Sequence, residues 1–450
     1  MSPPDLPIHL AIRIVLDNVS YSNPLPDWHT PLQVDYAERE KRIRRKIEDY
    51  LSGREAPCPC LEVQVPHRRG DLRTWMLPSI NDQIVLQACV SALEGKLLAC
   101  IDPERVYSYR RNDDPNRVAL TEDKLRSWFD FQDATRARLE PGTWLLQLDL
   151  RRAFPSMDRQ GFYRFLERLD PPGREVQIIR RLLDGFDGGR GGVPLINDTV
   201  FFLGNAYLSE VDGIVARHTP SFIRFMDDYH VFGGSETELE RVFEDVHRDL
   251  HASGFEVNQE KLKLGDWKDF FEGTERPDFG TSGHFSTLVA DVMAPADVTP
   301  LVVKALREPE RYLHEGFGRF LLGILRRIRY EAALAERFKA TPAEEALRTS
   351  LASGGVLPLA SALLERYGAD PRQAWRAVWL IYLMEHMELD GEAEGLLERI
   401  EKRQETPEVV RLWARRVRQG RQPEREILPE DLHERGYLEA GQRCHGDQPC

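Results

Sequence analysis

Phe222-Ile223-Arg224-Phe225-Met226-Asp227-Asp228-Tyr229-His230-Val231-Phe232 holds two short strand-like runs separated by an acidic pair, the signature of a β-hairpin. Upstream, Trp144-Leu145-Leu146-Gln147-Leu148-Asp149-Leu150 reads as a buried strand bounded by Pro141-Gly142. Between the two, the pattern predicts helices over 159–169 and 174–183, and one starting near Asp198, a reasonable cap. A helix over 236–253 and a strand around Phe255-Glu256-Val257 complete a β-α-α-β-β-α-β order. That order fits a split βαβ, ferredoxin-like sheet.

Three carboxylates decide what such a sheet is for. Asp149 ends an apolar strand, and Asp227 and Asp228 sit at a hairpin tip. A carboxylate at the end of an apolar strand is costly to desolvate unless it is paired or metal-bound. Adjacent side chains on a flat strand point to opposite faces, but at a turn both can approach one site. Magnesium takes oxygen ligands and keeps waters and substrate phosphates for the remainder. Clustered carboxylates are what a two-metal phosphoryl transferase needs. Taken alone, Asp-Asp in a turn is also explained by turn chemistry.

Several stretches in order resemble the reverse transcriptases. Leu148-Asp149-Leu150-Arg151-Arg152-Ala153-Phe154-Pro155-Ser156 is similar to the first catalytic motif of that family, and Phe225-Met226-Asp227-Asp228 to its Tyr-x-Asp-Asp box with Phe for Tyr. Gly254-Phe255-Glu256-Val257-Asn258-Gln259-Glu260-Lys261 resembles Gly-Leu-x-x-Asn-x-x-Lys, and 73–85 resembles the fingers segment Arg-x-x-x-Ile-Pro-x-x-x-Asp-Arg-Ile-Val. Ser108-Tyr109-Arg110 fits the short element after it, so the likeness covers roughly 65–265. The resemblance implies a right-hand polymerase with an α/β palm and fingers, synthesising DNA from deoxynucleoside triphosphates with two Mg2+ ions. Asp149, Asp227 and Asp228 are then the metal ligands, and Lys261 neutralises or protonates the leaving pyrophosphate. Arg73 meets the triphosphate, Phe154 stacks beneath the sugar where a ring excludes a 2′-hydroxyl, and Gly192 and Pro194 line the nucleotide site. Bland alternatives stand beside these: Phe154 as core, Arg73 and Lys261 as exposed charges.

One motif departs from the family. The span 192–208 keeps Gly192, Pro194, Asn205 and Leu208, but Gln-Gly has become Leu195-Ile196 and Ser-Pro has become Val200-Phe201. The expectation is an apolar, template-facing surface that does not copy an arbitrary RNA faithfully; the alternative is that Leu195 and Ile196 merely repack a loop that still accepts a dedicated RNA. With a helical C-terminal region, this places the resemblance among bacterial phage-defence reverse transcriptases of the abortive-infection and unknown-group kinds. In that group, synthesis without a template, priming from a protein tyrosine and oligomerisation are implied; Tyr21, Tyr36 and Tyr50 are candidate primers, with packing or surface roles the commoner explanation for each.

The whole chain of 450 residues sets the frame. It is 41% hydrophobic and 30% charged, the balance of a folded chain, with no run of eighteen apolar residues to span a membrane. The N-terminus lacks the basic and apolar pattern of a signal peptide. Six cysteines are sparse for this length and point to a reducing, cytoplasmic setting. Cys58-Pro59-Cys60 is tight for chelation, and Cys444, His445 and Cys450 crowd the C-terminus; both read as free thiols. A net charge of −13 does not exclude nucleic acid, because phosphate binding depends on local basic surface such as Arg39 to Lys46, His67-Arg68-Arg69 and Arg110-Arg111. Helical periodicity through 301–307, 317–330, 343–351, 360–367, 375–387, 393–400 and 409–417 suggests an all-helical C-terminal domain, either α-repeat or irregular. The reading divides the chain into 1–140 (N-terminal helix and fingers), 141–298 (palm) and 299–450 (helical thumb and C-terminal domain). Its partners are dNTPs, an RNA template or associated RNA and a DNA product, with no membrane and room for a homo-oligomer. The rivals are an idle RNA- or protein-binding scaffold and another palm-type nucleotidyltransferase; the Asp triad speaks against the first and Phe154 against an RNA polymerase.

Overall fold

The computed structural model describes residues 6–22, 36–57, 60–66, 72–112, 121–122, 124–171, 173–187, 191–266, 295–314 and 342–420. The Cys58, Cys444, His445 and Cys450 positions, the His67-Arg68-Arg69 patch and the 317–330 helix lie outside them. The chain divides into two compact units, one drawn from 1–15, 36–57 and 81–277, the other from 16–35, 58–80 and 278–450.

In chain order the elements are α1 (Ile8–Ser22), α2 (Tyr36–Ser52), β1 (Leu61–Pro66), β2 (Leu72–Leu77), α3 (Ile80–Leu98), α4 (Lys124–Arg138) and β3 (Trp144–Asp149). They continue with α5 (Ala153–Ser156), α6 (Arg159–Leu169), α7 (Arg174–Asp187), α8 (Asp198–Tyr207), α9 (Ser209–His218), β4 (Phe222–Phe225), β5 (Asp228–Gly233), α10 (Glu236–Ala252) and β6 (Lys263–Asp266).

The first unit is built on an antiparallel four-stranded sheet with order β4-β5-β3-β6. Numbered in chain order within this sheet, that is 2-3-1-4, the strand order of a split βαβ sheet. The helices begin where their sequences supply caps. Asp158 accepts from the Gln160 and Gly161 N–H groups ahead of α6, and Ser235 accepts from Glu238 N–H ahead of α10. For α8 the cap is Asn197, one residue before the expected Asp198; Asn197 accepts from Val200 N–H, while Asp198 accepts the Tyr109 hydroxyl at 2.6 Å.

The fourth strand also differs from the expectation. Residues 255–257 contribute only an isolated bridge, Leu150 to Val257, and the ladder is β6 instead. The reason is local: Glu256 C=O accepts from Arg151 N–H and Asn258 N–H donates to Asp149 C=O, both at 2.7 Å. The chain then turns, with Lys261 N–H donating to Asn258 C=O at 3.1 Å, before it can pair along β3.

Alternation along the strands assigns the two faces. Leu145, Ile223, Phe225 and Phe232 share one face and pack with Phe131 and Trp128 of α4. Asp149 and Asp228 have the same parity as this set and stand at its end. The opposite parity holds Arg224 and Tyr229, which meet Asp212 on α9.

In the second unit, β1 and β2 form an antiparallel hairpin in register from Leu61 opposite Leu77 to Pro66 opposite Leu72. The hairpin packs on the helix Ala374–Glu385, whose residues from Ala374 to Met384 are all buried. A helix apolar all round must be covered on every side; Val356–Tyr367 and Glu408–Gly420 supply further cover. Among the described residues no single helix is long and apolar enough to cross a membrane; Glu345–Ser353 and Val356–Tyr367 reach that length only together, bent by 74°.

Arg376 ties this unit together. It is 5% exposed, donates to Leu313 C=O at 3.1 Å, and binds Glu310 at 2.7 Å and Gln373 at 2.6 Å. Tyr367 donates to the same Glu310 at 2.9 Å. Arg376→Leu leaves a buried carbonyl without its donor, so a cost of about 2–3 kcal/mol is expected, read as a lower urea midpoint at unchanged slope. A midpoint within error of wild type would contradict this role.

Candidate active site

Two residues, Met226 and Asp227, connect β4 to β5, and Met226 takes a left-handed φ of 55°. A non-glycine residue there is strained by roughly 1–2 kcal/mol. The turn is held by its surroundings: Met226 N–H donates to Ser108 Oγ at 2.9 Å, Arg224 Nη1 donates to Met226 C=O at 3.0 Å, and Leu150 N–H donates to Asp227 C=O at 3.2 Å.

Antiparallel pairing puts Asp149 directly opposite Asp228, so their side chains are neighbours on one face. The turn brings Asp227 to the same place, and one ligand oxygen from each of the three lies within 4.8 Å of the others. Asp149 is 4% exposed, and the other two are half-buried.

A buried network backs this hairpin. Arg224, with no exposed surface, donates to Asp212 at 2.6 and 2.7 Å and to Asn205 Oδ1 at 2.7 Å. The Tyr229 hydroxyl adds a bond to Asp212 at 2.9 Å. Ser108 Oγ donates to Asn205 Oδ1 at 2.8 Å, and Asn205 Nδ2 returns one to Ser108 C=O at 3.0 Å. Burial pulls the Arg224 guanidinium down, but Asp212 beside it more than offsets that and holds it above the ordinary arginine value.

The 254–261 segment supplies a second support. Asn258 Nδ2 donates to Asp149 Oδ2 at 2.9 Å and Lys261 Nζ to Asp149 Oδ1 at 2.6 Å. Burial lowers the Lys261 ammonium, yet its bond to Asp149 and the charges of Asp149, Asp228 and Asp227 leave it raised. Burial first, then the charges of Asp227 and Asp149, push the Asp228 carboxyl well above the usual carboxylate range, with Lys261 opposing.

One ammonium does not balance three carboxylates. The donor set is all oxygen, the chemistry of a hard divalent cation, and among the described residues it is the only such group of His, Cys, Asp and Glu. The residues present fit magnesium.

Gly192, an expected nucleotide-site residue, has φ +70°, and a Cβ there would run into the Pro155 carbonyl oxygen. Val193 N–H donates to Phe154 C=O at 2.8 Å. Arg159, anchored on Asp187 at 2.8 Å, donates to Gly192 C=O at 2.6 Å. The loop of Gly192 and buried Pro194 is thereby clamped to the Phe154 segment. Phe154 is 6% exposed, its ring edge-on to Phe201 at 5.1 Å. Arg73 belongs to the second unit, on the exposed start of β2.

Of the replaced residues of the 192–208 motif, Ile196 and Val200 turn inward, while Leu195 and Phe201 stay half-buried. Ile196 and Val200 are 2% and 0% exposed. Leu195 is half-buried, and Phe201 packs on Phe154. Between Ile196 and Val200, Asn197 donates to Gln83 at 3.2 Å and Thr199 donates to Gln87 at 2.7 Å. These bonds tie the loop to α3 and turn its apolar residues inward. Tyr50, a candidate for priming, is fully buried and donates to Asp82; the side chains of Tyr21 and Tyr36 lie outside the described residues. In the basic run, Arg39 donates inward to Asn81 at 2.7 Å and Lys46 meets Glu55 at 2.8 Å and Asp82 at 3.5 Å. Arg224, Asp212 and the Asn258 contact escaped the sequence reading, although an arginine inside an apolar strand is itself a sign of a buried partner.

Asp228→Asn removes one of three mutually repelling charges. It is expected to raise the melting temperature in metal-free buffer, by about 1 kcal/mol of stability. The added stability that wild type gains from magnesium should shrink in the variant. A lower metal-free melting temperature with an undiminished magnesium response would contradict this.

A family model described as reverse transcriptase (RNA-dependent DNA polymerase) matches residues 65–273. No curated protein matches the chain. Among solved structures, the telomerase of Candida albicans in complex with a telomeric RNA fragment is similar at 12% identity and a TM-score of 0.36, over 82% of this chain and 65% of that one. Apo telomerase from Candida tropicalis matches at 12% identity and a TM-score of 0.39, over 90% of this chain and 74% of that one. This chain therefore spans about two thirds of the length of the Candida albicans chain. The β3 and β4–β5 carboxylates lie inside the matched residues 65–273.

Proposed function

We propose that the protein is a reverse-transcriptase-type DNA polymerase that joins deoxynucleoside triphosphates at Asp149, Asp227 and Asp228. The observation that carries this is the in-register pairing of Asp149 with Asp228, with Asp227 in the adjoining turn, inside the matched domain. The three carboxylates would hold magnesium, which when bound stabilises the attacking 3′-oxygen and the leaving pyrophosphate. Asn258 and Lys261 fix the orientation of Asp149, and Lys261 keeps a positive charge where pyrophosphate departs. Phe154 forms the wall beneath the sugar, backed by the clamped Gly192–Pro194 loop. Arg73 is assigned to the triphosphate as a charge-assisted donor.

The finer setting is also a proposal. The resemblance to phage-defence reverse transcriptases, with helices following the palm, supports a cytoplasmic antiviral role with an RNA template or an associated RNA. The burial of Ile196 and Val200 supports a repacked loop that still accepts an RNA, so copying of an RNA is the reading we adopt. Sequencing the product made with and without an added primed RNA checks it: copies complementary to that RNA are expected, and product of equal yield and unrelated sequence in its absence would contradict it.

Asp149→Asn alone, or Asp227→Asn with Asp228→Asn, is expected to lower incorporation of labelled deoxynucleotides by on the order of 10²-fold or more, with an unchanged far-UV spectrum. Near wild-type incorporation by the double variant would remove the polymerase assignment.

A further inference from the structure

We infer that Gly204 is a positioning residue for sugar choice, because its missing side chain is the notch that seats the Phe154 ring. The inference rests on the reading of Phe154 as the sugar wall. Gly204 lies inside α8, where glycine costs about 1 kcal/mol relative to alanine. Its neighbours are buried, and its φ is not in the left-handed region. Neither the backbone nor a cap therefore requires glycine at this position. The space does. A Cβ on Gly204 would overlap Cε1 of Phe154 and approach Cζ to 2.7 Å and Cδ1 to 3.0 Å. Real Cβ atoms do not make such contacts, so one group has to move.

The ring is the group that moves, and its path is restricted. One turn earlier on the same helix face, Phe201 meets it edge-on at 5.1 Å. The Phe154 carbonyl is held by Val193 N–H at 2.8 Å and Met157 N–H at 3.3 Å, and its segment leaves a left-handed Arg152, φ 49°. With the backbone pinned and Phe201 alongside, a methyl group on α8 drives the ring off the helix and into the sugar's space. The distance from wall to sugar is thereby set on α8, by the absence of one carbon, and not by Phe154 alone. A wall moved toward the sugar crowds a deoxyribose as well as a ribose, so the effect falls on binding before it falls on chemistry.

The test compares wild type, Phe154→Val, Gly204→Ala, Phe154→Leu and the Phe154→Leu/Gly204→Ala double variant. For each, KM and kcat are measured separately for a deoxynucleotide and its ribonucleotide, together with the melting temperature. Gly204→Ala is expected to raise the deoxynucleotide KM about tenfold, as overpacking of this size does, with kcat little changed and ribonucleotide use lower still. In the double variant, the smaller Leu makes room for the methyl group, and both KM and melting temperature should recover. Wild-type KM and sugar ratio in Gly204→Ala, or a double variant no better than the single one, would overturn the inference. Phe154→Val is expected to raise ribonucleotide use. If it leaves the ratio unchanged, the sugar-wall reading itself fails, and this inference fails with it for a distinguishable reason.

Discussion

Arg224 is the constraint on which the site depends. A guanidinium with no exposed surface sits in a four-residue, otherwise apolar strand, three residues before Asp227. Stranding it there would cost several kcal/mol. It is tolerated because Asp212 takes two of its bonds and Asn205 a third, while a fourth closes the hairpin turn at Met226. Replacing such a pair by apolar side chains often costs nothing in stability. Its value here lies in geometry: it fixes a strained turn against α8 and α9. From that follow the register of β5 on β3 and the meeting of Asp149 with Asp228.

Strain accompanies the chemistry throughout. Among the described residues, the non-glycine residues with left-handed φ are Tyr109, Arg152 and Met226. Met226 turns beside the triad, Arg152 links Asp149 to Phe154, and Tyr109 follows the serine that binds the Met226 amide. Such conformations persist only where neighbours over-determine them. Here the neighbours are the Ser108–Asn205–Arg224 network and the bond from Tyr109 to Asp198. The like charges of Asp149, Asp227 and Asp228 add a further local cost, which a bound cation would offset.

Much of the palm was legible in the sequence because its signals are local. The apolar strand before Asp149, the hairpin around Asp227 and Asp228, and the amphipathic helices each announce themselves within a dozen residues. The misses have physical causes. Leu61-Glu62-Val63-Gln64-Val65 alternates with period two and forms β1, a strand left unassigned in the sequence because prolines and glycines surround it. The strand expected at 255–257 is apolar enough, yet its backbone bonds are spent on Arg151 and Asp149, so pairing begins only at Lys263. Burial of Ile196 and Val200 depends on Gln83 and Gln87, more than a hundred residues away along the chain. Periodicity cannot reveal a contact of that range. Nor can it show what a glycine such as Gly204 makes room for.

The buried network presents three carboxylates as one candidate divalent-cation site. Electron paramagnetic resonance of Mn2+ binding tests it most directly, comparing wild type with an Arg224→Met/Asp212→Leu variant that removes both charges at once. Loss of the tight Mn2+ site in a variant that keeps its far-UV spectrum is the result the account predicts. Tight Mn2+ binding equal to wild type in that variant would contradict it.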